Sequence, residues 1–222
     1  MRALVTGFEP FGGDAVNSSW EAVRLLAERW DEPFGAELVP VRLPVTFAGA
    51  VREVAAAVQD HRPDVVVCTG VAAGADAVRI ERIAINVADA RIPDNTGAQP
   101  VDEPVVPGGP AAFLSGLPLK ATLVALHGAG IPAVVSNTAG TYVCNATFYA
   151  LGSLLEATPG VLGGFVHLPR TAEEGGGPDG GPQPGALPVA VLARALDVVV
   201  RTALAERLGI VTEPVVPAGM DH

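Results

Sequence analysis

The feature that most constrains the fold is an alternation of short apolar runs with amphipathic helical stretches along most of the chain. Three runs, "DVVVCTG", "IPAVVSN" and "GVLGGFVHLP", are apolar almost throughout, which is typical of strands buried on both faces of a sheet. Strands that alternate with helices favour parallel pairing through crossover helices. The pattern predicts a single α/β domain over residues 1–222, a three-layer α/β/α sandwich with a mostly parallel, mixed central sheet.

Composition narrows the possible partners and surroundings of the protein. The 222 residues carry 14 Lys and Arg against 24 Asp and Glu, a net charge of −10, so a nucleic-acid partner is not expected. The apolar runs are broken well before the roughly 20 residues that cross a membrane, and no segment resembles a signal peptide. Two cysteines do not make a disulfide framework. We therefore expect a cytoplasmic protein with no membrane contact.

Three segments are expected to depart from the alternating pattern. Residues 173–188 are rich in glycine and proline and predict a flexible loop. Residues 212–222 predict a C-terminal tail. Residues 83–106 predict an antiparallel excursion from the main sheet.

The stretch "SNTAGTYVCNATFYALGSLL" places Cys144 where a loop that follows a predicted strand turns into a helix. The free N–H groups and the dipole at a helix N-terminus favour the thiolate form of a cysteine. Ligands of open α/β sheets also bind beyond the carboxyl ends of strands. Cys144 is therefore a candidate nucleophile, although a free cysteine is often simply a buried small hydrophobe. Cys68, inside "VVVCTG", is predicted to be structural.

A thiolate nucleophile needs a base and a group that orients the base. His167 closes the predicted strand "GGFVH" and is the histidine that repeats the strand-end position of Cys144. The other histidines lie at helix ends or at the chain end: His61, His127 and His222. The candidate carboxylates all lie near predicted strand ends: Asp76, Glu81, Asp89 and Asp94. The residues alone leave the choice among these carboxylates open.

The loop "TGFEPFGGDAVNSS" looks at first like a phosphate-binding loop. It lacks the Lys-Ser/Thr pair of such loops, and Asp14 stands where a cation would be needed. Phe8 and Phe11, flanked by glycines, suit a small flat ring better than a phosphate. The alternative is that both aromatic rings are part of the hydrophobic core.

Several of these stretches together resemble the pyroglutamyl peptidase I family of cysteine peptidases. The similar segments, in chain order, are "TGFEPFGG" with Asn17, "ERIAIN", "DARIPDNTGAQPVDEPV", "SNTAGTYVCNATFY" and "GFVHLP". Together they cover most of the chain, from about residue 3 to 170. With "ERIAIN" and "DARIPDNTGAQPVDEPV" counted as one central signature, four separated motifs in the same order make the resemblance specific.

The resemblance implies a catalytic triad of Cys144, His167 and Glu81 that removes an N-terminal pyroglutamyl residue from peptides through a thioester. It implies further roles for substrate-binding residues: Phe8 and Phe11 as an apolar slot, Asn17 at the loop or the lactam, and Arg91 near the scissile carbonyl. It implies no cofactor and no metal, peptides with N-terminal pyroglutamate as substrates, and a homo-oligomer, either a dimer or a tetramer.

The chain departs from the family pattern at residues 73–77, at Ala146, which follows the Cys-Asn pair, and after His167, and none of these positions belongs to the implied triad. Two other functions remain as alternatives. One is a phosphate- or nucleoside-binding enzyme of related architecture, because fold alone does not determine function. The other is a non-catalytic protein that binds pyroglutamyl termini, which predicts an unreactive Cys144.

Overall fold

The computed structural model describes residues 1–171 and 185–219. Strands and helices alternate along the described chain, as the apolar pattern predicts. The strands are β1 (Arg2–Phe8), β2 (Glu37–Leu43), β3 (Val65–Val71), β4 (Val78–Glu81), β5 (Ile83–Ile85), β6 (Ala112–Leu114), β7 (Ala133–Ser136) and β8 (Leu162–Leu168). The α-helices are α1 (Ser18–Arg29), α2 (Phe47–His61), α3 (Leu119–Gly128), α4 (Val143–Glu156) and α5 (Val189–Arg207).

Six strands form the main sheet in the order β2-β1-β3-β8-β4-β7. Strands β2, β1, β3 and β8 run parallel to one another, and β4 and β7 form a second parallel pair. The two blocks meet at β8 and β4, which pair antiparallel. We call this boundary the seam. The predicted mixed and mostly parallel sheet is confirmed.

Helices cover both faces of the sheet, which confirms the predicted three-layer arrangement. Helices α1, α3 and α5 bury their apolar stripes on one face, where Leu26, Leu126 and Leu196 belong to one hydrophobic core. Helices α2 and α4 pack on the other face, where Val54 and Phe148 belong to a second core. Apolar burial on both faces is the main free-energy gain that holds such a sandwich together.

The predicted antiparallel excursion is present but short. Strand β5 pairs antiparallel with β6, and Ala88 forms an isolated antiparallel bridge with Glu103. The alternating stretch "ERIAINVADA" is not one strand, since β4 ends at Glu81 and β5 begins at Ile83 in a different sheet. The chain therefore leaves the main sheet directly after Glu81.

The N-terminus of α1 is capped by Asn17 and not by Ser18, which has capping-box spacing to Glu21. The Asn17 Oδ1 atom accepts hydrogen bonds from the Ser19 backbone N–H at 3.0 Å and from the Ser19 hydroxyl at 2.6 Å. The Asn17 Nδ2 atom donates to the Glu9 carbonyl. Asn17 therefore joins the helix start to the loop that precedes it.

The described part of the predicted C-terminal tail, residues 212–219, lies against the N-terminus of α3. Pro118 precedes this helix and supplies no side-chain cap. The Glu213 carboxylate accepts the backbone N–H groups of Lys120 at 3.2 Å and Ala121 at 2.8 Å, and Lys120 Nζ donates to the Val216 carbonyl. A carboxylate from a distant part of the chain thus takes the place of a local cap.

Replacing Glu213 by alanine should lower the free energy of unfolding by about 1 kcal/mol, because two N–H groups and the positive end of the α3 dipole lose their partner. Urea denaturation followed by circular dichroism measures the change. Val215→Ala is the matched control, because the Val215 side chain on the same tail is fully exposed. Equal stability of the Glu213→Ala variant and the wild-type protein would contradict the capping role.

Most of the predicted glycine- and proline-rich loop, residues 173–184, lies outside the described residues. Where the chain resumes, the Leu187 N–H donates to the carbonyl of Arg170. None of the helices in residues 1–171 and 185–219 has both the length and the apolar character to cross a membrane.

Candidate functional site

The seam brings Glu81 and His167 together. Arg79 lies directly opposite His167 in the antiparallel pair, so Glu81, two residues further along β4, projects from the same face of the sheet. The Glu81 Oε1 atom lies 2.8 Å from His167 Nδ1, and both side chains are buried. A carboxylate accepts, so Nδ1 carries the hydrogen and donates it to Glu81.

Cys144 reaches the same imidazole from the helical layer. It is the second residue of α4, and its side chain lies close enough to the His167 imidazole to act on the pKa of His167. Because Nδ1 is occupied by Glu81, Nε2 is the nitrogen that faces the sulfur. The first N–H groups of α4, the helix that begins beside Cys144, have no partner within the helix. The structure thus places Cys144, His167 and Glu81 in one row, in which Glu81 and His167 are hydrogen-bonded.

The other residues considered from the sequence have different surroundings. Asp94 accepts the N–H of Phe47 at the start of α2 and three further hydrogen bonds in its own turn. Asp76 and Asp89 are exposed. His127 Nε2 lies 2.8 Å from the Ala133 carbonyl, a structural contact, and His222 lies outside the described residues.

Opposing effects act on the pKa of His167. Burial lowers it, but the negative charge and hydrogen bond of Cys144 and the hydrogen bond and charge of Glu81 outweigh burial and raise the pKa to about 9. The imidazole therefore remains protonated at neutral pH beside the sulfur. An imidazolium in this position both stabilises a thiolate and holds a proton for a leaving group.

His167 should titrate near pH 9 in the wild-type protein, and Cys144→Ala should lower this pKa, because the Cys144 charge and hydrogen bond raise it. The pH dependence of the histidine Cε1–H signals in NMR measures it, with His167→Gln to assign the signal. Since the folded pKa lies above the ordinary value of about 6.5, the ion pair stabilises the fold fully below about pH 6.5 and loses this effect as pH rises through about 9. A pKa unchanged by Cys144→Ala would contradict the contact.

Cys68 differs from Cys144 in its burial and in its place in the fold. It lies in the middle of β3 with no exposed surface, and both cysteines are free thiols. Burial, with a smaller contribution from the charge of Cys144, raises the pKa of Cys68 to about 12. This thiol stays protonated at neutral pH, in keeping with its predicted structural role.

A cavity of about 400 Å³ opens beside Cys144. Phe8, Phe11, Asn17 and Arg91, all named from the sequence, line it together with Tyr142. Further apolar lining residues are Val45, Val71, Ile92 and Val143. The Asn17 side chain is largely committed to its capping bonds. The cavity is thus an apolar slot with a few polar groups at its edge, the usual character of a small-molecule site.

The charged residues that line the cavity are Asp14, Arg91 and Arg170. Asp14 is paired with Arg170 at 3.0 Å, and this ion pair joins the first loop to the segment that follows β8. Arg91 is exposed at the rim. Among the described lining residues, one carboxylate stands against two guanidinium groups, and this positive balance disfavours a cationic ligand.

The chain matches the family model for pyroglutamyl peptidase over residues 1–206. The chain belongs to the pyroglutamyl peptidase family. A pyrrolidone-carboxylate peptidase of Clavibacter michiganensis is 52% identical over 202 residues, which cover 91% of this chain and 92% of that protein. The corresponding protein of Streptomyces coelicolor is 48% identical over 196 residues, 88% of each chain. The crystal structure of Bacillus amyloliquefaciens pyroglutamyl peptidase I superposes with a TM-score of 0.86 at 40% identity, over 93% of this chain and 98% of that one.

Within this pyroglutamyl peptidase fold, sequence reasoning missed Tyr142. Its ring contacts Phe11 and Phe47 at centroid distances of 5.7 and 5.2 Å, and its hydroxyl donates to the Pro93 carbonyl. Burial, and then the charges of Asp94 and Cys144, raise its pKa to about 12, so the hydroxyl stays neutral. Its position two residues before Cys144 was the available signal.

Asn145 was also missed. It is fully buried and directly follows Cys144. Its Oδ1 accepts the Ile85 N–H at 3.0 Å, and its Nδ2 donates to the carbonyls of Ile85 and Val87, both at 2.9 Å. The first turn of α4 is therefore tied to the excursion that carries Arg91. An amide next to a candidate nucleophile was the signal in the sequence.

The departures from the family pattern lie around the site, and none of them is Glu81, Cys144 or His167. Ala73 lines the cavity, and Ala146 is buried in α4. Arg170, in the segment after His167, forms the ion pair with Asp14. In the described part of this pyroglutamyl peptidase chain, no group of three or more His, Cys, Asp or Glu side chains is arranged to hold a metal ion.

Proposed function

We propose that the chain is a cysteine peptidase that removes an N-terminal pyroglutamyl residue from peptides, with Cys144 as nucleophile, His167 as acid and base, and Glu81 as its orienting partner. The observation that carries the proposal is the row that runs from the buried Glu81 and His167 to the half-buried Cys144, beside an apolar cavity. Membership of the pyroglutamyl peptidase family supports the same reaction.

The row supplies the groups that acyl transfer needs. The Cys144 thiolate attacks the carbonyl carbon of the pyroglutamyl residue, and the carbonyl oxygen takes up the negative charge near the N-terminus of α4. The His167 imidazolium then gives its proton to the amide nitrogen, the C–N bond breaks, and the shortened peptide leaves. His167 next takes a proton from water, which cleaves the thioester to release pyroglutamate and restore the thiolate.

The charge of the cavity explains why a blocked N-terminus is preferred. An ordinary peptide begins with an ammonium group, which an aminopeptidase holds with a carboxylate. Here Asp14, the lining carboxylate in the described part of the chain, is neutralised by Arg170, and Arg91 adds a positive charge. A pyroglutamyl ring carries no charge and presents a flat surface to Phe8 and Phe11. The cavity therefore accepts the lactam and repels a free amine.

Hydrolysis of a fluorogenic pyroglutamyl amide, measured beside the prolyl and alanyl amides, tests the proposal. We expect turnover of the pyroglutamyl amide alone, because only this substrate lacks an ammonium group. Prolyl amide is the sharper control, since it has a ring of the same size with a charged nitrogen. Absence of turnover by folded, reduced protein would refute the proposal, and equal turnover of prolyl amide would refute the charge argument.

We also propose that the protein works in the cytoplasm as a dimer or tetramer. Two free thiols, one of them the proposed nucleophile, are suited to a reducing compartment. The apolar stripe of α5 packs on the sheet, so an oligomer interface must use other surfaces. Light scattering measures the molecular mass, and a mass equal to one chain of 22.6 kDa would refute the oligomer.

A further inference from the structure

Gly70 lies beneath the sulfur of Cys144, and its backbone conformation is one that any residue could adopt. Gly70 lies in β3 directly opposite His167 of β8, and its φ angle is not in the left-handed region. A glycine inside a strand costs stability, because it has no side chain to pack and loses more backbone entropy than other residues. The atoms that lie above residue 70 explain why this residue is glycine.

That space is occupied by the sulfur of Cys144. A methyl group at Gly70 would lie 2.7 Å from Cys144 Sγ and 3.0 Å from Phe165 Cζ, against about 3.5–4.0 Å for ordinary contacts between such atoms. The Phe165 ring lies 4.8 Å from the His167 ring, centroid to centroid, and forms one wall of this space. Gly70 forms its floor. We call this space the sulfur niche.

We propose that Gly70 is a positioning residue for the reaction, because its missing side chain creates the sulfur niche and so holds the Cys144 sulfur against His167. The Cys144 side chain is the partner that can yield, since rotation about its Cα–Cβ bond moves the sulfur away from the floor. A side chain at residue 70 would thus displace the sulfur from the imidazole while the sheet stays intact. This inference rests on the proposed function, in which Cys144 is the nucleophile.

Kinetics and NMR of Gly70→Ala give the first test. We expect kcat for the pyroglutamyl amide to fall by about 100-fold, as for a reacting group displaced by about an ångström. KM should change little, because Phe8 and Phe11, which receive the ring in the proposed function, are unaltered. The pKa of His167 should fall, as in Cys144→Ala, because the sulfur leaves its side. A folded variant with wild-type kcat and a wild-type His167 pKa would overturn the proposal.

A double-mutant cycle separates the sulfur from all other neighbours of Gly70. Gly70→Ala should destabilise the wild-type protein more than it destabilises Cys144→Ala, in which the colliding sulfur is absent. Urea denaturation measures the four proteins. If Gly70→Ala fails to fold with Cys144 present but folds with Ala at position 144, the proposal is supported. An equal cost in both backgrounds would overturn it, because Phe165 would then be the limiting contact.

Gly164→Ala is the matched control in the neighbouring strand. A methyl group at Gly164 would lie 2.3 Å from Ser115 Oγ and 2.9 Å from Leu117, so this change should lower stability while kcat and the His167 pKa of the folded protein stay unchanged. Absence of pyroglutamyl turnover by the wild-type protein would refute the proposed function. The stability cycle and the His167 titration would still decide the inference about Gly70.

Discussion

Replacing Cys144 by alanine is expected to lower kcat for the pyroglutamyl amide by about 10⁴- to 10⁶-fold, the usual loss when the nucleophile of a triad is removed. The methyl group of alanine fits the same space, so the cavity lined by Phe8 and Phe11 should still bind substrate. Steady-state kinetics measure the loss, and binding of a pyroglutamyl peptide by calorimetry should persist. Residual turnover within tenfold of the wild-type rate would rule out Cys144 as nucleophile.

Cys68→Ala is the control for this experiment. Cys68 is buried and its pKa is raised to about 12, so its removal should leave kcat unchanged. Alkylation with iodoacetamide at pH 7 should label Cys144 quickly and Cys68 hardly at all. An unreactive Cys144 would favour the alternative of a non-catalytic pyroglutamyl-binding protein.

Replacing Glu81 by glutamine is expected to lower kcat by about 10³- to 10⁴-fold, with a smaller effect on KM. The amide has the shape of the carboxylate but no charge, and its NH₂ group can turn His167 to the wrong tautomer. The pKa of His167 should fall as well, because the Glu81 hydrogen bond and charge both raise it. Steady-state kinetics and the NMR titration measure the two effects.

Asp89→Asn is the matched control for Glu81→Gln. It removes the same charge from an exposed carboxylate that the sequence placed among the candidates, and it should leave kcat and the pKa of His167 unchanged. A Glu81→Gln enzyme with wild-type kcat would show that the buried carboxylate does not orient the imidazole.

Most elements of this fold could be predicted from local patterns, because β1, β3 and β8 are mostly apolar runs and the helices show apolar stripes. The short strands β4, which carries Arg79 and Glu81, and β6 could not. Cys144 and His167 could be proposed by the same local reasoning, since both follow predicted strands. Glu81 could not be chosen from its own neighbourhood. Its contact with His167, 86 residues later in the chain, depends on the antiparallel register of β4 and β8.

Gly70 illustrates a second limit of local patterns. In the sequence it is only the last residue of the predicted strand "DVVVCTG", and nothing next to it points to a role in the site. In the structure it lies within β3. Its importance comes from the sulfur of Cys144, a residue of α4 that lies 74 residues later in the chain. Only the packing of the layers reveals that a missing side chain is required there.

The seam also has a consequence for the order of events during synthesis. Strand β8 lies between β3 and β4 in the sheet, although it follows both of them in the chain. β8 can take its place between β3 and β4, and His167 can reach Glu81 and Cys144, only after residue 168 has left the ribosome. Because such long-range pairing is slow, the thiol of the nascent chain remains without its base until late in folding. In refolding experiments, helical circular dichroism should therefore return before turnover of the pyroglutamyl amide, because helices can form before β8 has taken its place in the sheet.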